Sequence, residues 1–160
     1  MAVAIPGFST LGIKFGYGVE AAAGEKPSAF TWLERCNNIN GINLSTEIID
    51  ASALEDYVTK KIAGRQDSGD SWTVTFNYTE EVAAQLKAMI AAYNTGKQSN
   101  LRTWFEVWIP NATNAFFVVA EPPQVLSMPE MGQNALLTID LEFAIQEYIG
   151  DDAAIEPVAG

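Results

Sequence analysis

The sequence predicts a mainly β domain of the α+β class, an antiparallel β-sandwich or barrel with one flanking α-helix and one long loop. Three observations support this prediction. Apolar and polar residues alternate in about seven short segments, which is the pattern of half-buried strands. One further segment has apolar residues at helical spacing. The 160 residues are 48% hydrophobic, which is enough for one core, so we expect a single domain over residues 1–160.

Four strands are predicted in the first half of the chain, in the segments STLGIKFGYG, SAFTWLE, GINLSTEII and SWTVTFNYT. In each segment apolar residues take alternate positions, so one face of the strand is expected to be buried. The residues predicted to share these apolar faces are Leu11, Ile13, Phe15, Tyr17, Phe30, Trp32, Ile42, Leu44, Ile48, Trp72, Val74, Phe76 and Tyr78.

One amphipathic helix is predicted over residues 80–94. Thr79 can cap its N-terminus, and Glu80 and Glu81 place negative charge in the first turn, where it suits the helix dipole. Gly96 is expected to stop the helix. The apolar stripe that should cover the sheet consists of Val82, Leu86, Met89, Ile90 and Tyr93.

Three more strands are predicted in the segments LRTWFEVWIP, AFFVVAEP and ALLTIDLEFAIQEY. The first carries bulky residues on both faces, so we expect it to be covered on both sides. Pro122 and Pro123 end or bend the second. The third alternates strictly, with Asp140 and Glu142 outward. Residues 1–9 are expected to form a flexible N-terminal arm, and residues 148–160 a loose acidic C-terminal tail.

A loop of about residues 50–70 joins the third and fourth predicted strands, and it is unusually long for a compact domain. Two local interpretations stay open. SALE has the form of a helix capping box, and Leu54, Val58 and Ile62 recur every four residues. Alternatively, the segment is an extended arm that ends in the turn RQDSGDS. Its mixed charges suit a polar contact surface.

The residue inventory argues against an enzyme. The chain has no histidine and a single cysteine, Cys36, so His-based catalysis and thiolate zinc sites are ruled out, and we expect no cofactor and no metal. Asp140 and Glu142, about 7 Å apart along a strand, could serve a glycosidase, but a solvated strand face is the favoured interpretation. Trp104 and Trp108 could form a platform in a β-sandwich that binds a ligand or carbohydrate, the alternative function; packing is favoured for them too.

The charge distribution argues against nucleic-acid binding. The formal net charge is −11, and residues 103–160 contain nine acidic residues and no lysine or arginine. A protein that binds the negative phosphates of nucleic acid needs a positively charged surface. No signal peptide or membrane-spanning run is visible, so we expect a soluble protein made in a cytoplasm.

The segment IIDASALEDYVTKKIAGRQDSGDSWTVTFNY resembles the linker-to-strand region of the major tail tube proteins of long, non-contractile-tailed bacteriophages. That family shows an aspartate followed by small residues, a charged stretch, an I-x-G-x-x-D-x-G turn and an alternating strand. Here the turn residues are Ile62, Gly64, Asp67 and Gly69. The order of predicted elements is similar over about residues 10–147.

The resemblance implies a β-sandwich with one helix, of the kind shared with type VI secretion tubes. It implies that six copies form a ring whose sheets join into a barrel, and that rings stack into a tube in the virion tail after assembly in the host cytoplasm. The implied partners are further copies, a tape-measure protein, a tail terminator and baseplate or initiator proteins. DNA would pass through during ejection without specific binding, and no membrane is involved.

The resemblance also implies roles for two groups of charged residues. The long loop orders between stacked rings in that family, so the stacking candidates are Glu55, Asp56, Lys60, Lys61, Arg65 and Asp67. A negative lumen would keep DNA from sticking to the wall, and the lumen candidates are Glu106, Asp140 and Glu142.

Overall fold

The structure, a computed structural model, describes residues 7–157, and residues 1–6 and 158–160 lie outside the described part. The mainly β class is confirmed. Over residues 7–157 nine strands and one helix follow in the order β1 (Lys14–Val19), β2 (Thr31–Leu33), β3 (Cys36–Ile39), β4 (Ser45–Asp50), β5 (Lys61–Asp67), β6 (Ser71–Asn77), α1 (Glu80–Gln98), β7 (Thr103–Trp108), β8 (Asn114–Glu121) and β9 (Thr138–Ala153).

Seven strands form one antiparallel sheet, the main sheet, in the order β2-β1-β7-β8-β9-β6-β3. This sheet curls strongly. Phe15 on β1 and Trp72 on β6 have ring centroids 5.6 Å apart, although three strands lie between theirs in the sheet order. In a flat sheet four strand spacings would separate them by about 19 Å. The two ends of the sheet therefore face each other and enclose one core, as in a sandwich.

The long strand β9 provides the bend. Its first part, Thr138 to Ala144, pairs with β6, and its second part, Ala144 to Ala153, pairs with β8. Register shifts interrupt the β8–β9 pairing at two places, and such bulges increase local twist and bend a strand. One continuous strand thereby belongs to both halves of the sandwich.

Period-2 alternation correctly predicted the inner faces of the central strands. Val74, Phe76, Leu141 and Phe143 are fully buried. Phe105 and Phe143 meet edge to face at 4.8 Å between centroids, a favourable aromatic geometry. The expectation that residues 101–109 are covered on both sides is also confirmed, since Thr103 to Glu106 are all buried.

Helix α1 begins as predicted and ends later. The Thr79 hydroxyl accepts a hydrogen bond from the Val82 amide at 3.1 Å. The helix continues past residue 94 to Gln98, so the prediction that Gly96 stops it was wrong. Gly96 is buried inside the last turn, where a Cβ atom would lie 2.7 Å from Val19 Cγ1. Close approach to β1, and not chain termination, requires glycine there. Asn100 supplies the left-handed residue, with φ 58°.

The predicted order of elements needs three corrections. The predicted inward strand GINLSTEII is not in the core: β4 begins at Ser45, and Leu44 and Ile48 are exposed. The sequence pattern missed β3, whose CNNI composition shows no alternation because it is an edge strand with little to bury. The predicted acidic tail over 148–160 begins too early, because β9 extends to Ala153. The predicted N-terminal arm lies mostly outside the described residues.

Candidate assembly surfaces

Strands β4 and β5 form a separate two-stranded antiparallel sheet, here called the hairpin, with its connection over residues 51–60. The prediction of a long loop over 50–70 is therefore partly wrong, since β5 lies inside it. Within residues 7–157 neither strand pairs with a strand of the main sheet. Ser45 and Asp67 are paired at the base of the hairpin. The hairpin thus leaves and rejoins the main chain at adjacent points.

The connection is a hydrogen-bonded turn, which decides the question that the sequence left open. The Ser52 hydroxyl accepts from the Lys60 amide at 2.7 Å, so it does not cap a helix. The Ser52 amide donates to Asp50 Oδ1 at 2.9 Å, and this contact lowers the pKa of Asp50. Asp56 Oδ2 accepts from the Ala53 amide at 2.8 Å. Polar side chains therefore fold residues 51–60 locally, as in Asx turns.

Both faces of the hairpin expose large apolar side chains. Ile49 pairs with Ile62 on one face, while Ile48 pairs with Ala63 on the other. Ile48, Ile49 and Ile62 are 59%, 45% and 56% exposed, although isoleucine in a strand is normally a core residue. The connection adds three exposed apolar side chains, Leu54, Tyr57 and Val58. This is a concentration of apolar surface that the described chain does not cover.

All six stacking candidates lie on the hairpin. Glu55, Lys60, Lys61 and Arg65 are exposed. The other two carboxylates are engaged in local turns. Asp56 Oδ1 lies 3.3 Å from Lys60 Nζ. Asp67 Oδ1 accepts from the Gly69 amide at 2.9 Å.

The proposed I-x-G-x-x-D-x-G turn is shorter than the sequence indicated. Ile62 and Gly64 are part of β5, and only the residues from Asp67 to Gly69 turn the chain. Gly69 has φ 91°, which favours glycine. The first half of the motif therefore belongs to the hairpin strand.

Two of the three lumen candidates share an accessible surface. Asp140 and Glu142 lie on the outer face of β9 and are exposed, paired across from Thr75 and Thr73 of β6. The Thr75 hydroxyl donates to Asp140 Oδ1 at 2.7 Å. This part of the outer face is therefore acidic and polar.

Glu106 is placed differently from the other two lumen candidates. Its side chain is 0% exposed, so in the described chain it adds nothing to the accessible acidic surface. Oε1 accepts from the Ile155 amide at 2.9 Å, and Oε2 is buried without a partner among the described residues. Burial raises the pKa of Glu106 to about 7, against the opposing effects of the Ile155 amide and Lys26. The sequence predicted that both faces of this strand are covered, and that cover excludes Glu106 from the exposed wall for which it was also a candidate.

A second buried carboxylate, Glu20, was not predicted. Its oxygens accept from Trp104 Nε1 at 2.9 Å and from the Arg102 amide at 2.8 Å. Arg102 also lies between Glu20 and Glu147, with contacts of 3.3 and 2.7 Å. Burial opposes ionisation of Glu20, but these hydrogen bonds outweigh it and lower its pKa. No local signal marks Glu20, because Arg102 and Trp104, which bind its carboxylate, are more than eighty residues away.

The tryptophan platform expected for a ligand-binding module is not formed. Trp104 is 5% exposed and packs on Phe117 beneath Phe30. A different concave surface exists: a groove of about 530 Å³ near β3, lined by uncharged residues that include Ile39, Trp72 and Phe116. Cys36 is at its margin, and burial raises the pKa of that thiol to about 11, so the thiolate is scarce at neutral pH.

The connection between β8 and β9 is a further exposed surface, which the sequence pattern did not predict. It exposes Val125, Met128, Met131 and Leu136.

In residues 7–157 no group of three acidic or cysteine side chains is placed to hold a metal ion. The same residues contain no helix with the length and hydropathy of a membrane span.

Comparison with known proteins gives distant structural likenesses only. No protein-family model matches the sequence, and neither does any curated protein. Among solved structures, a chain from the cryo-EM structure of the anti-feeding prophage baseplate, sixfold symmetrised, is similar at a TM-score of 0.45 and 11% identity. The alignment covers 92% of this chain and 95% of that chain. A likeness this distant establishes neither a shared fold nor a shared function.

Proposed function

We propose that this chain is a structural, non-enzymatic subunit that assembles with copies of itself, and that the assembly is the tail tube of a long, non-contractile-tailed bacteriophage. The observation that carries the proposal is the hairpin, which exposes apolar side chains on both faces. An isolated two-stranded hairpin is at best marginally stable in water. Contiguous apolar surface of this kind marks an interaction site in a soluble protein.

The same hairpin suits contact with a copy in the next ring. Its base is narrow, because Ser45 and Asp67 are paired, so the hairpin can project as one unit. Its exposed charges have both signs, with Glu55 against Lys60, Lys61 and Arg65. Apolar contact would supply affinity, while these charges would set the register between copies.

The main sheet also offers edges for ring formation. Strands β2 and β3 are the terminal strands in the sheet order, and each pairs on one side only within the described chain. Unpaired edges are templates for strands of another copy. Six copies joined through such edges form the barrel that the family resemblance implies, with the tape-measure protein inside it and the terminator and baseplate proteins at its ends.

The acidic part of the outer face supports the lumen role of two candidates. Asp140 and Glu142 are exposed on neighbouring outward positions of β9. A wall with such charges repels phosphate, so DNA can slide past without being held. We do not assign Glu106 to this wall, because its carboxylate is buried.

Negative-stain electron microscopy of the purified protein tests the proposal. We expect rings or tubes about 100 Å across or less, the scale for six such domains around a pore. A variant in which a Gly-Gly linker replaces residues 46–66 should keep the fold, because the linker joins residues that are already neighbours. It should form no stacked tubes.

Point variants make the test sharper. Ile49→Asp and Ile62→Asp each place a charge on the apolar face of the hairpin and should abolish stacking. Val125→Asp is the control, since it places the same charge on an exposed apolar residue outside the hairpin. Tubes formed equally by all three variants would contradict the role given to the hairpin.

The uncharged groove favours one alternative, a module that binds a small apolar ligand or a carbohydrate. Trp72 lines the groove and donates its indole N–H to the Asn40 carbonyl at 2.6 Å. A ligand there should change tryptophan fluorescence, and Ile39→Asp should abolish that change. A glycan array without any hit, together with tube formation, would contradict the binding module and support only the structural role.

A further inference from the structure

Residues 154–157 lie over the outer face of β7, and the contacts that hold them centre on Glu106. We call these residues the C-terminal strap. The Ile155 amide donates to Glu106 Oε1 at 2.9 Å, and the Ala154 amide donates to the Thr113 carbonyl at 3.1 Å. Just before the strap, Lys26 Nζ donates to the Ala153 carbonyl at 2.7 Å. The strap is therefore held by a few polar contacts.

The strap covers apolar as well as polar groups. Ala154 packs against the cluster of Trp104, Ala115, Phe117 and Val119, which lies on the face of the sheet opposite the main core. Lifting the strap would expose part of this cluster and would give water access to the Glu106 carboxyl. Closure of the strap is therefore coupled to the dehydration of Glu106.

We propose that the C-terminal strap is a pH-sensitive cover, whose closure over β7 depends on the protonation of Glu106. A carboxylate in this position has one hydrogen bond, while its second oxygen is buried without a partner in the described chain. Dehydrating an ionised group with so few partners is costly. Burying the neutral acid away from water costs much less free energy than burying the carboxylate, so protonation favours the closed strap.

The charged groups around Glu106 do not reverse this preference. Lys26 lies nearest, but its ammonium contacts Asp152 at 3.5 Å and sits 4.0 Å over the Phe117 ring, so its charge is shared. Glu20 lies further along the same face, where Arg102 compensates it. Asp151 and Glu156 are exposed to solvent. Opposite Glu106 on β1 is Gly16, which carries no side chain.

The direction of the pH effect follows from linkage. In the closed structure burial raises the pKa of Glu106 from its usual 4.5 to about 7, although the strap's own Ile155 amide and Lys26 oppose this rise. The closed state therefore binds more protons than the open state between these values, and its stability is lost as pH rises. If the carboxyl regains its usual pKa of 4.5 when the strap opens, the ratio of open to closed strap grows about tenfold between pH 6 and pH 8.

Hydrogen exchange at the Ala154 and Ile155 amides measures the opening. Protection factors, which correct for the intrinsic pH dependence of exchange, should fall about tenfold from pH 6 to pH 8. Amides of the central strands, such as that of Leu141, should not change, which separates strap opening from global unfolding. Glu106→Gln should make the strap's protection independent of pH. Glu156→Gln is the matched control and should leave the pH dependence intact.

A second measurement uses the unmodified protein, so it does not depend on a variant that folds. Carbon NMR of the Glu106 carboxyl should give a pKa near 7. A pKa near 4.5, or equal protection of the strap at pH 6 and pH 8, would overturn the proposal. So would a Glu106→Gln variant that retains the pH dependence. None of these outcomes bears on tube formation, so the proposal stands or falls separately from the proposed function.

Discussion

The main sheet and the hairpin contain the same kinds of strand residue, yet they bury them differently. Phe105 and Phe143 of the main sheet are completely buried, whereas Ile49 and Ile62 of the hairpin are about half exposed. The cause is curvature. The main sheet curls until its own inner faces meet, while two strands have no second layer to pack against. The main sheet can therefore hold itself together, but the hairpin needs another surface to bury its apolar side chains.

The largest effect that tests this comparison is expected in the core of the main sheet. Phe105→Ala removes a ring that stacks on Phe15 at 5.6 Å and meets Phe143 at 4.8 Å. Truncating a buried phenylalanine costs about 3–5 kcal/mol, since it loses burial and leaves a cavity. Urea unfolding should show this loss as a lower midpoint.

Phe116→Ala provides the matched control for that change. Phe116 is a phenylalanine on a main-sheet strand, but it is 42% exposed. Its truncation should cost less than about 1.5 kcal/mol, because less surface returns to water. Equal losses for the two variants would show that burial does not separate these positions as described.

The next effect concerns the buried carboxylate of the main sheet. Glu20→Ala leaves Trp104 Nε1 and the Arg102 amide without their acceptor. Unsatisfied buried donors cost about 1–3 kcal/mol each. Water can replace part of the lost hydrogen bonding of Arg102, because that residue is partly exposed. We therefore expect the free energy of unfolding to fall by about 2–3 kcal/mol.

Glu147→Ala is the control for Glu20. Glu147 pairs with the same arginine at 2.7 Å, but its side chain is 52% exposed. Exposed ion pairs contribute about 0–1 kcal/mol. A larger loss for Glu147 than for Glu20 would mean that the surface ion pair, and not the buried network, holds this part of the sheet.

The sequence was most informative where a strand or helix has one face in the core. Alternation placed Phe76 and Leu141 inward, and the cap at Thr79 marked the start of α1 correctly. In these places local pattern and tertiary burial agree. The stop at Gly96 was wrong because a contact with Val19, distant in sequence, decides what that position needs.

The hairpin and the two buried glutamates show what local patterns leave out. Ile48 and Ile49 have the residue type of a core strand, and their exposure follows only from the absence of a second layer. Glu106 alternates as an outward residue, but the strap, about fifty residues later, covers it. The unusual length of the connection over 50–70 was the useful signal, since it marked a segment outside the core.

The smallest effect on stability is expected in the hairpin, where it completes the comparison. Ile49→Ser and Ile62→Ser remove side chains that are already about half exposed and that belong to paired positions of the hairpin. At concentrations where the protein is monomeric, the free energy of unfolding should change by less than about 0.5 kcal/mol, as for surface substitutions. Tube formation by the same variants should fall sharply, because in the proposed tube the lost contacts lie between copies. A loss above about 1.5 kcal/mol in the monomer would show instead that the hairpin packs on its own main sheet, and the apolar surface would then have a structural cause within one chain.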